Sequence, residues 1–344
     1  MGASCSSSDT VRSRIFVDRE ELLKAYPLEE DLKHWHMWNQ LDLLDEAAAE
    51  RLAKFMRTLM DTVVPSAALS ESDVALHGDI DLSQVELHDN IHMDWPLNPK
   101  QVEDMTQDFE VAADDVHIPL PSEFFSKLVK ASTDFYASKP NVINLTVPPD
   151  CTLTIVGDLH GQLQDLLHIF KTNGLPSPTN WYLFNGDLVD RGDCCVEICA
   201  ILFAYQIMYP MAVHINRGNH EDVFMNSFHT FRREVYVKYS SSMFDAFNDF
   251  FDALPLAHII NDAVFVVHGG LSEFDLTLDQ INSIPRDEYH LHTTHDETLS
   301  HKMHWMQDFL WSDPQRKLGI ADNRRVLESC LVLIFVQNSF NAQT

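Results

Sequence analysis

LTIVGDLHG (residues 153–161) decides the fold: four apolar or β-branched residues run without a break into Gly157-Asp158-Leu159-His160-Gly161. The pattern recurs three times. WYLF (181–184) leads into Gly186-Asp187-Leu188-Val189-Asp190-Arg191-Gly192, VHI (213–215) into Arg217-Gly218-Asn219-His220-Glu221, and VFVV (264–267) into His268-Gly269-Gly270. Short β-branched and aromatic runs of this kind read as strands. Helical patterns fall between them, over 162–171 and 196–208, and another over 122–137 follows Pro119 and Pro121. Strands alternating with helices predict an α/β domain with helices packed on the faces of its sheets. The polar clusters then lie on loops at strand ends, where a rigid scaffold can present ligands.

Each cluster sets an oxygen or imidazole donor beside glycine. Glycine allows tight turns and close backbone approach, so several strand ends can converge on one point. Asp, His and Asn together form a mixed oxygen and nitrogen set suited to zinc, iron or manganese. A single Asp-x-His is ordinarily a loop with a satisfied histidine. Four clusters in this order specify a metal centre.

Outward from that core, the 344 residues carry 52 Asp+Glu against 24 Lys+Arg, a net charge of −28, with 45% hydrophobic content. At roughly 100–200 residues per domain, the length allows about two domains, or one large domain with an extension. Such a charge repels phosphate backbones and argues against nucleic acid as a partner. No apolar run approaches the roughly 18 residues of a membrane span. Cys5, Cys151, Cys194, Cys195, Cys199 and Cys330 form neither a disulfide framework nor paired zinc motifs, which fits a reducing, cytoplasmic setting. Met1-Gly2-Ala3-Ser4-Cys5-Ser6 matches the myristoylation pattern, with Cys5 placed for a palmitoyl chain. Two acyl chains hold a membrane stably where one does not, and Arg12 and Arg14 make no polybasic second signal. The alternative is a Ser-rich leader that happens to begin Met-Gly.

These features divide the chain into a leader (1–14), an acidic, partly helical extension (15–116), a catalytic domain (117–325) and a tail (326–344). Residues 1–116 hold 25 Asp+Glu and 9 Lys+Arg. Residues 41–64 read as an amphipathic helix, with Leu44, Ala48, Leu52, Phe55, Met56 and Leu59 on one face and Pro65 ending it. Residues 66–116 read as loop-rich. Asp79 and Asp81 do not open a calcium loop, since no glycine follows at the sixth place and Asp89 is not the bidentate Glu required. No internal repeat is present.

The four clusters closely resemble the phosphoprotein phosphatase family of metal-dependent Ser/Thr phosphatases. The resemblance runs from about 118 to 316 and takes in NRGNHEDVFMN (216–226), EVYVKY (234–239), LPL (254–256) and LWSDPQ (310–315). NGLPSPTNWYLFNGD (173–187) and the MGxxCSSS start look most like the EF-hand-containing, retinal-degeneration type, with the protein phosphatase 5 type next. The tetratricopeptide repeats of the latter are not in the sequence, nor is a calmodulin-binding IQ segment recognisable. The resemblance implies a metallophosphatase-like β-sandwich of mixed sheets flanked by helices. It implies two metal ions, manganese or iron and zinc, with Asp158 and His160 on the first, Asp187 bridging, and Asn219 and His268 on the second. A metal-activated water would attack phosphorus in line. Arg191 and Asn219 would hold the phosphate. His220, oriented by Asp190, would protonate the leaving alkoxide of phosphoserine or phosphothreonine in a protein.

Other conspicuous residues take plainer readings. His34, His36, His290, His292, His295, His301 and His304 lie outside the motifs and read as surface or insert residues. Cys194, Cys195 and Cys199 read as core packing, and the stretch around Trp35 and Trp38 as a helix face. After LWSDPQ the resemblance breaks. Family members continue through an Arg-Gly and a second metal-binding histidine, whereas here Arg325 precedes Val326 and no histidine follows His304. Arg325 would then stand at the substrate-arginine position. The catalytic domain is expected to be incomplete at this end, its second metal one ligand short, and its last strands missing. In the alternative, residues 331–336 form the expected strand and Asn338 is a weak substitute ligand. Two rival functions stay open: a catalytically impaired phosphoprotein-binding module, and another class of metallophosphoesterase.

Overall fold

Alternation of side chains along the second motif strand builds the architecture. The computed structural model describes residues 86–87, 93–112, 117–291, 301–314, 320–322 and 330–332, all in one unit formed by Val85–Asn323 and Glu328–Thr344. In chain order the elements are β1 (Glu86–Leu87), α1 (Pro99–Ala112), β2 (His117–Ile118), α2 (Ser122–Ala137), β3 (Val142–Leu145), β4 (Thr152–Val156), α3 (Leu163–Asn173), β5 (Asn180–Phe184) and α4 (Cys195–Met208). Then follow β6 (Val213–Ile215), α5 (Val223–Phe228), α6 (Phe231–Lys238), α7 (Ser241–Ala253), β7 (Ala257–Ile260), β8 (Val264–Val267), α8 (Leu278–Asn282), α9 (His301–Trp311), β9 (Asp313–Pro314), β10 (Ile320–Asp322) and β11 (Cys330–Val332).

β4, β5 and β6 form a parallel sheet, with Ile155 opposite Leu183 and Phe184 opposite Ile215. β3, β7 and β8 form a mixed sheet, parallel between β3 and β7 and antiparallel between β7 and β8. Successive residues of β5 point to opposite faces. Leu183 packs with Ile260 and Val266, and Trp181 with Leu145 and Ala212, so one face of β5 meets the mixed sheet. Tyr182 and Phe184 enter the helical core on the other face. This is the sandwich of mixed sheets flanked by helices that the resemblance implies.

α4 (CVEICAILFAYQIM) is buried all round from Cys195 to Gln206, which marks a central helix. It packs against α1, α2, α3 and α6. Aromatic rings of α2, α4, α6 and α7 close the core around it, with Phe203 4.4 Å from Phe250 and Phe231 5.1 Å from Phe247. Cys195 and Cys199 are core residues, as expected, and burial pushes both thiols far above their usual pKa.

One expectation is corrected. Part of the stretch read as loop-rich is the 14-residue helix α1, whose Val102, Met105 and Phe109 are fully buried in the same core as α4. Glu103, Asp104, Asp108 and Glu110 are interleaved with these residues and mask that stripe in a composition-led reading. The packed unit therefore reaches back past the boundary drawn at 116/117.

In the tail, Cys330–Val332 forms a strand, antiparallel to β10 and parallel to β9. Of the strand expected at 331–336, only 331 and 332 are described, and they lie in a small sheet separate from the motif-bearing ones. Among the described residues, neither motif-bearing sheet takes a strand from beyond Val267. No helix among them is long and apolar enough to cross a membrane. Gly2, Cys5, the helix expected over 41–64, Asp79, Asp81, Asp89, His34, His36, Trp35, Trp38, His292, His295, Arg325 and Asn338 lie outside the described residues.

Candidate metal centre and active site

The four motif loops leave the ends of β4, β5, β6 and β8, and the structure brings their polar residues together. Close approach requires glycine at two points. Gly186 has φ +87°, and a Cβ there would lie 2.4 Å from the Gly218 nitrogen. A Cβ on Gly218 would lie 2.3 Å from the Asp187 nitrogen. The β5 and β6 loops therefore touch backbone to backbone. Glu221, fully buried, accepts bonds from the amides of Asp187 (2.7 Å), Leu188 (2.8 Å) and Gly218 (2.8 Å). Burial, with the charge of Asp187 nearby, pushes this carboxyl up to about 7.

Asp187 stands at the centre. Its Oδ2 lies 3.3 Å from His160 Nε2, and its Oδ1 lies 3.5 Å from His268 Nε2. Both imidazoles are locked by their far nitrogens: His160 Nδ1 bonds the Val189 carbonyl at 2.7 Å and His268 Nδ1 the Asn185 carbonyl at 2.8 Å. A carbonyl only accepts, so each Nδ1 carries the proton and each Nε2 faces Asp187. Burial alone would raise the Asp187 pKa, but His268, His220 and His160 hold it well below the carboxylate range. Burial likewise works against charge on His160 and His268, yet the charge of Asp187, with the Val189 carbonyl behind one ring and the Asn185 carbonyl behind the other, leaves both pKa values raised. A field that favours positive charge on two buried imidazoles also favours bound cations.

The donor set fits metal ions on independent grounds. His160 Nε2 and Asn219 Oδ1 are buried without a hydrogen-bond partner, a costly condition unless something else satisfies them. Donor atoms of Asp158, Asp187 and His268 lie within 4.8 Å of one another, as do those of His160, Asp187 and His220. Asp158 is half-exposed, with its Oδ2 3.8 Å from His160 Nε2. Asp158, His160, Asp187 and His268, named from sequence, thus meet at one place, with Asn219 buried on the β6 loop. His290, His301 and His304 join no such cluster among the described residues.

His220 sits beside this cluster. Its Nδ1 is 2.7 Å from Asp190 Oδ2, and its amide donates to Asp187 Oδ1 at 3.0 Å. Asp190 is fully buried and also accepts from the Phe231 amide at 3.0 Å. Burial pushes Asp190 up to about 7 and pulls His220 down to about 4. The His220 ring lies between His160 (centroids 4.8 Å apart) and His229 (5.0 Å). Arg191, with φ +69°, is exposed beside Asp190. Burial raises the nearby Cys194 thiol to about 12, which makes it a poor nucleophile at neutral pH.

The sequence reading did not single out Glu221, Asn185, Asn216, His229 or His258. Glu221 lies inside the RGNHE string and carried the signal of a charged residue in a glycine turn. Asn185 and Asn216 act through a backbone carbonyl and side-chain amides, and His229 and His258 through their rings, in pairings that no local sequence pattern displays.

A model of the calcineurin-like phosphoesterase family matches residues 151–333. Serine/threonine-protein phosphatase T of Schizosaccharomyces pombe is 36% identical over 275 residues, covering 79% of this chain and 54% of that protein. Phosphatase T of Trypanosoma brucei brucei is 46% identical over 193 residues (56% and 39%). Human serine/threonine-protein phosphatase 5 is 43% identical over 185 residues (54% and 35%). A solved Saccharomyces cerevisiae protein serine/threonine phosphatase, similar to human PP5, superposes with a TM-score of 0.61 at 29% identity, covering 69% of this chain and 71% of that one. The chain spans about half or less of the curated relatives' length. The human protein and the solved structure similar to it carry the name of the type placed second from the motifs. The family implies divalent metal ions, and the donors assembled around Asp187 fit them. The chain belongs to the calcineurin-like phosphoesterase family and, within it, to the phosphoprotein phosphatases.

Proposed function

We propose that this chain hydrolyses phosphoserine and phosphothreonine monoesters in proteins, using two divalent ions, with manganese first and iron or zinc as alternatives. The observation that carries the reading is Asp187 set between the open Nε2 atoms of His160 and His268, with the His220–Asp190 pair on the adjoining loops. Asp158, His160, Asp187, Asn219 and His268 would hold the ions. When bound, such ions activate water and offset charge on the phosphoryl oxygens. Arg191 binds the phosphate through its planar guanidinium fork, and Asn219 presents its amide from the neighbouring loop. Asp190 fixes the His220 ring through Nδ1, leaving Nε2 to give a proton to the departing serine or threonine oxygen. Arg325 is assigned a second phosphate contact on the motif resemblance alone.

Release of phosphate from a phosphoserine peptide tests this. The chelator-treated chain is expected to be inert, and added Mn²⁺ to start turnover. Bis(p-nitrophenyl) phosphate, a diester, should be a poor substrate. Preference for the diester would favour another metallophosphoesterase activity; phosphopeptide binding without turnover by the Mn²⁺-loaded chain would favour a binding module.

The same proposal places the protein in the cytoplasm with an acylated N-terminus at Gly2 and Cys5, supported by Met1–Ser6 alone. Gly2→Ala should move it from the membrane to the soluble fraction of cells expressing the full chain. An unchanged distribution would remove acylation from this reading.

A further inference from the structure

Two side-chain amides and one imidazole form a hydrogen-bonded chain that ends beside the metal cluster. Asn185 follows β5 and Asn216 follows β6. Asn185 Nδ2 donates to the Val267 carbonyl at 2.9 Å, and Asn216 Nδ2 donates to Asn185 Oδ1 at 2.8 Å and to the Val266 carbonyl at 3.2 Å. On β7, His258 Nδ1 lies 2.7 Å from Asn216 Oδ1. Two backbone carbonyls fix every direction in this network. Val267 and Val266 can only accept, so both amide groups are oriented, Asn216 presents its oxygen to His258, and Nδ1 of His258 must carry the proton. Burial, together with His214 5.3 Å away, pulls His258 down to about 3 and keeps it neutral.

The network touches the metal centre at one atom pair. Its Asn185 contributes the carbonyl that locks His268 Nδ1 at 2.8 Å, and the side chain of the same residue grips Val267, the residue before His268. Strand ends β5 and β6 are thereby stapled to β8 across the two sheets. Asn216 and His258 are fully buried, so water offers these two side chains no substitute partner. A ligand ring on a strand end is free to swing unless both its backbone and its far nitrogen are held, and this network holds both.

We propose that Asn185, Asn216 and His258 are positioning residues that aim His268 Nε2 at the metal site, acting through His268 alone. The proposal rests on His268 being a metal ligand, as read above. The test is Mn²⁺ binding by the full chain, followed by the paramagnetic resonance signal of the free ion, for the parent, Asn216→Leu, His268→Ala and the double variant. Asn216→Leu should weaken Mn²⁺ at the site His268 serves by about 10–100-fold, the range seen when the support of a ligand is removed. Added to His268→Ala it should change the remaining Mn²⁺ affinity by less than about twofold, because the residue it positions is gone. Equal weakening in both backgrounds, or unchanged binding by a folded Asn216→Leu chain, would overturn the proposal. A parent chain that takes up no Mn²⁺ would remove the metal-site reading instead. If circular dichroism shows Asn216→Leu unfolded, Asn185→Ser keeps the carbonyl that His268 bonds, loses both side-chain bonds, and is held to the same outcomes.

Discussion

Replacing His220 by asparagine should lower phosphoester turnover by about 10²–10⁴-fold, the usual contribution of a positioned proton donor, and should leave bound metal in place. The assignment follows from which nitrogen is occupied. His220 Nδ1 is held by Asp190 at 2.7 Å, so only Nε2 can reach substrate. Asparagine preserves the backbone amide that bonds Asp187 Oδ1 and removes the acid. Because donor atoms of His160, Asp187 and His220 lie within 4.8 Å of one another, a ligand role for His220 is a real competitor. Metal content decides between them: loss of an ion in His220→Asn makes His220 a ligand, and retention with collapsed turnover makes it the acid. An aryl phosphate with a good leaving group should suffer least, since its departing oxygen needs the proton less.

Lys238→Met should destabilise the fold by about 3–5 kcal/mol, the scale for breaking a buried ion pair by removing one partner. Lys238 is buried and donates to the Asp193 carbonyl (2.9 Å), to both oxygens of Glu197 (2.8 Å each) and to Glu234 Oε1 (2.8 Å). Glu234 in turn accepts from the amides of Cys195 (3.1 Å) and Val196 (2.9 Å), at the start of α4 and just after the Arg191 loop. Methionine fills the space and strands two carboxylates without their cation. The loss should depend on pH. Burial already raises Glu197 to about 7 despite Lys238, so the folded state binds protons that the unfolded state, with a carboxyl pKa near 4.3, releases. Stability from this group is therefore present at low pH and declines as pH rises toward 7. Without the lysine that decline steepens, and urea unfolding at pH 5.5 and pH 8 should show the larger deficit at pH 8. A deficit under about 1 kcal/mol, or one that ignores pH, would show that the cluster is solvated rather than buried as a unit.

Much of this was legible in the residues because the motif strands are short, β-branched and each followed by glycine beside a ligand. The strands over 213–215 and 264–267 form where the pattern put them, and Thr152–Val156 and Asn180–Phe184 each extend it by one residue. The donors converge because glycine permits the contact between the Gly186 and Gly218 loops. What escaped reading was of two physical kinds. α1 hides its apolar stripe of Val102, Met105 and Phe109 among acids, so charge spoke louder than period. The supports of the ligands, the carbonyls of Val189 and Asn185 and the amides behind them, belong to pairings across 29 to 83 residues of chain. No local pattern encodes a partner at that distance.

Glu221 has a meaning for how such loops can be exchanged between relatives. One carboxylate bonds the amides of Asp187 and Leu188 on one loop and Gly218 on another. A chimera that imported the Gly186–Gly192 loop alone would arrive with two amides shaped for an acceptor the host had to supply already. The heritable unit of this centre is the pair of loops, and recombination that cuts between them separates a lock from its key.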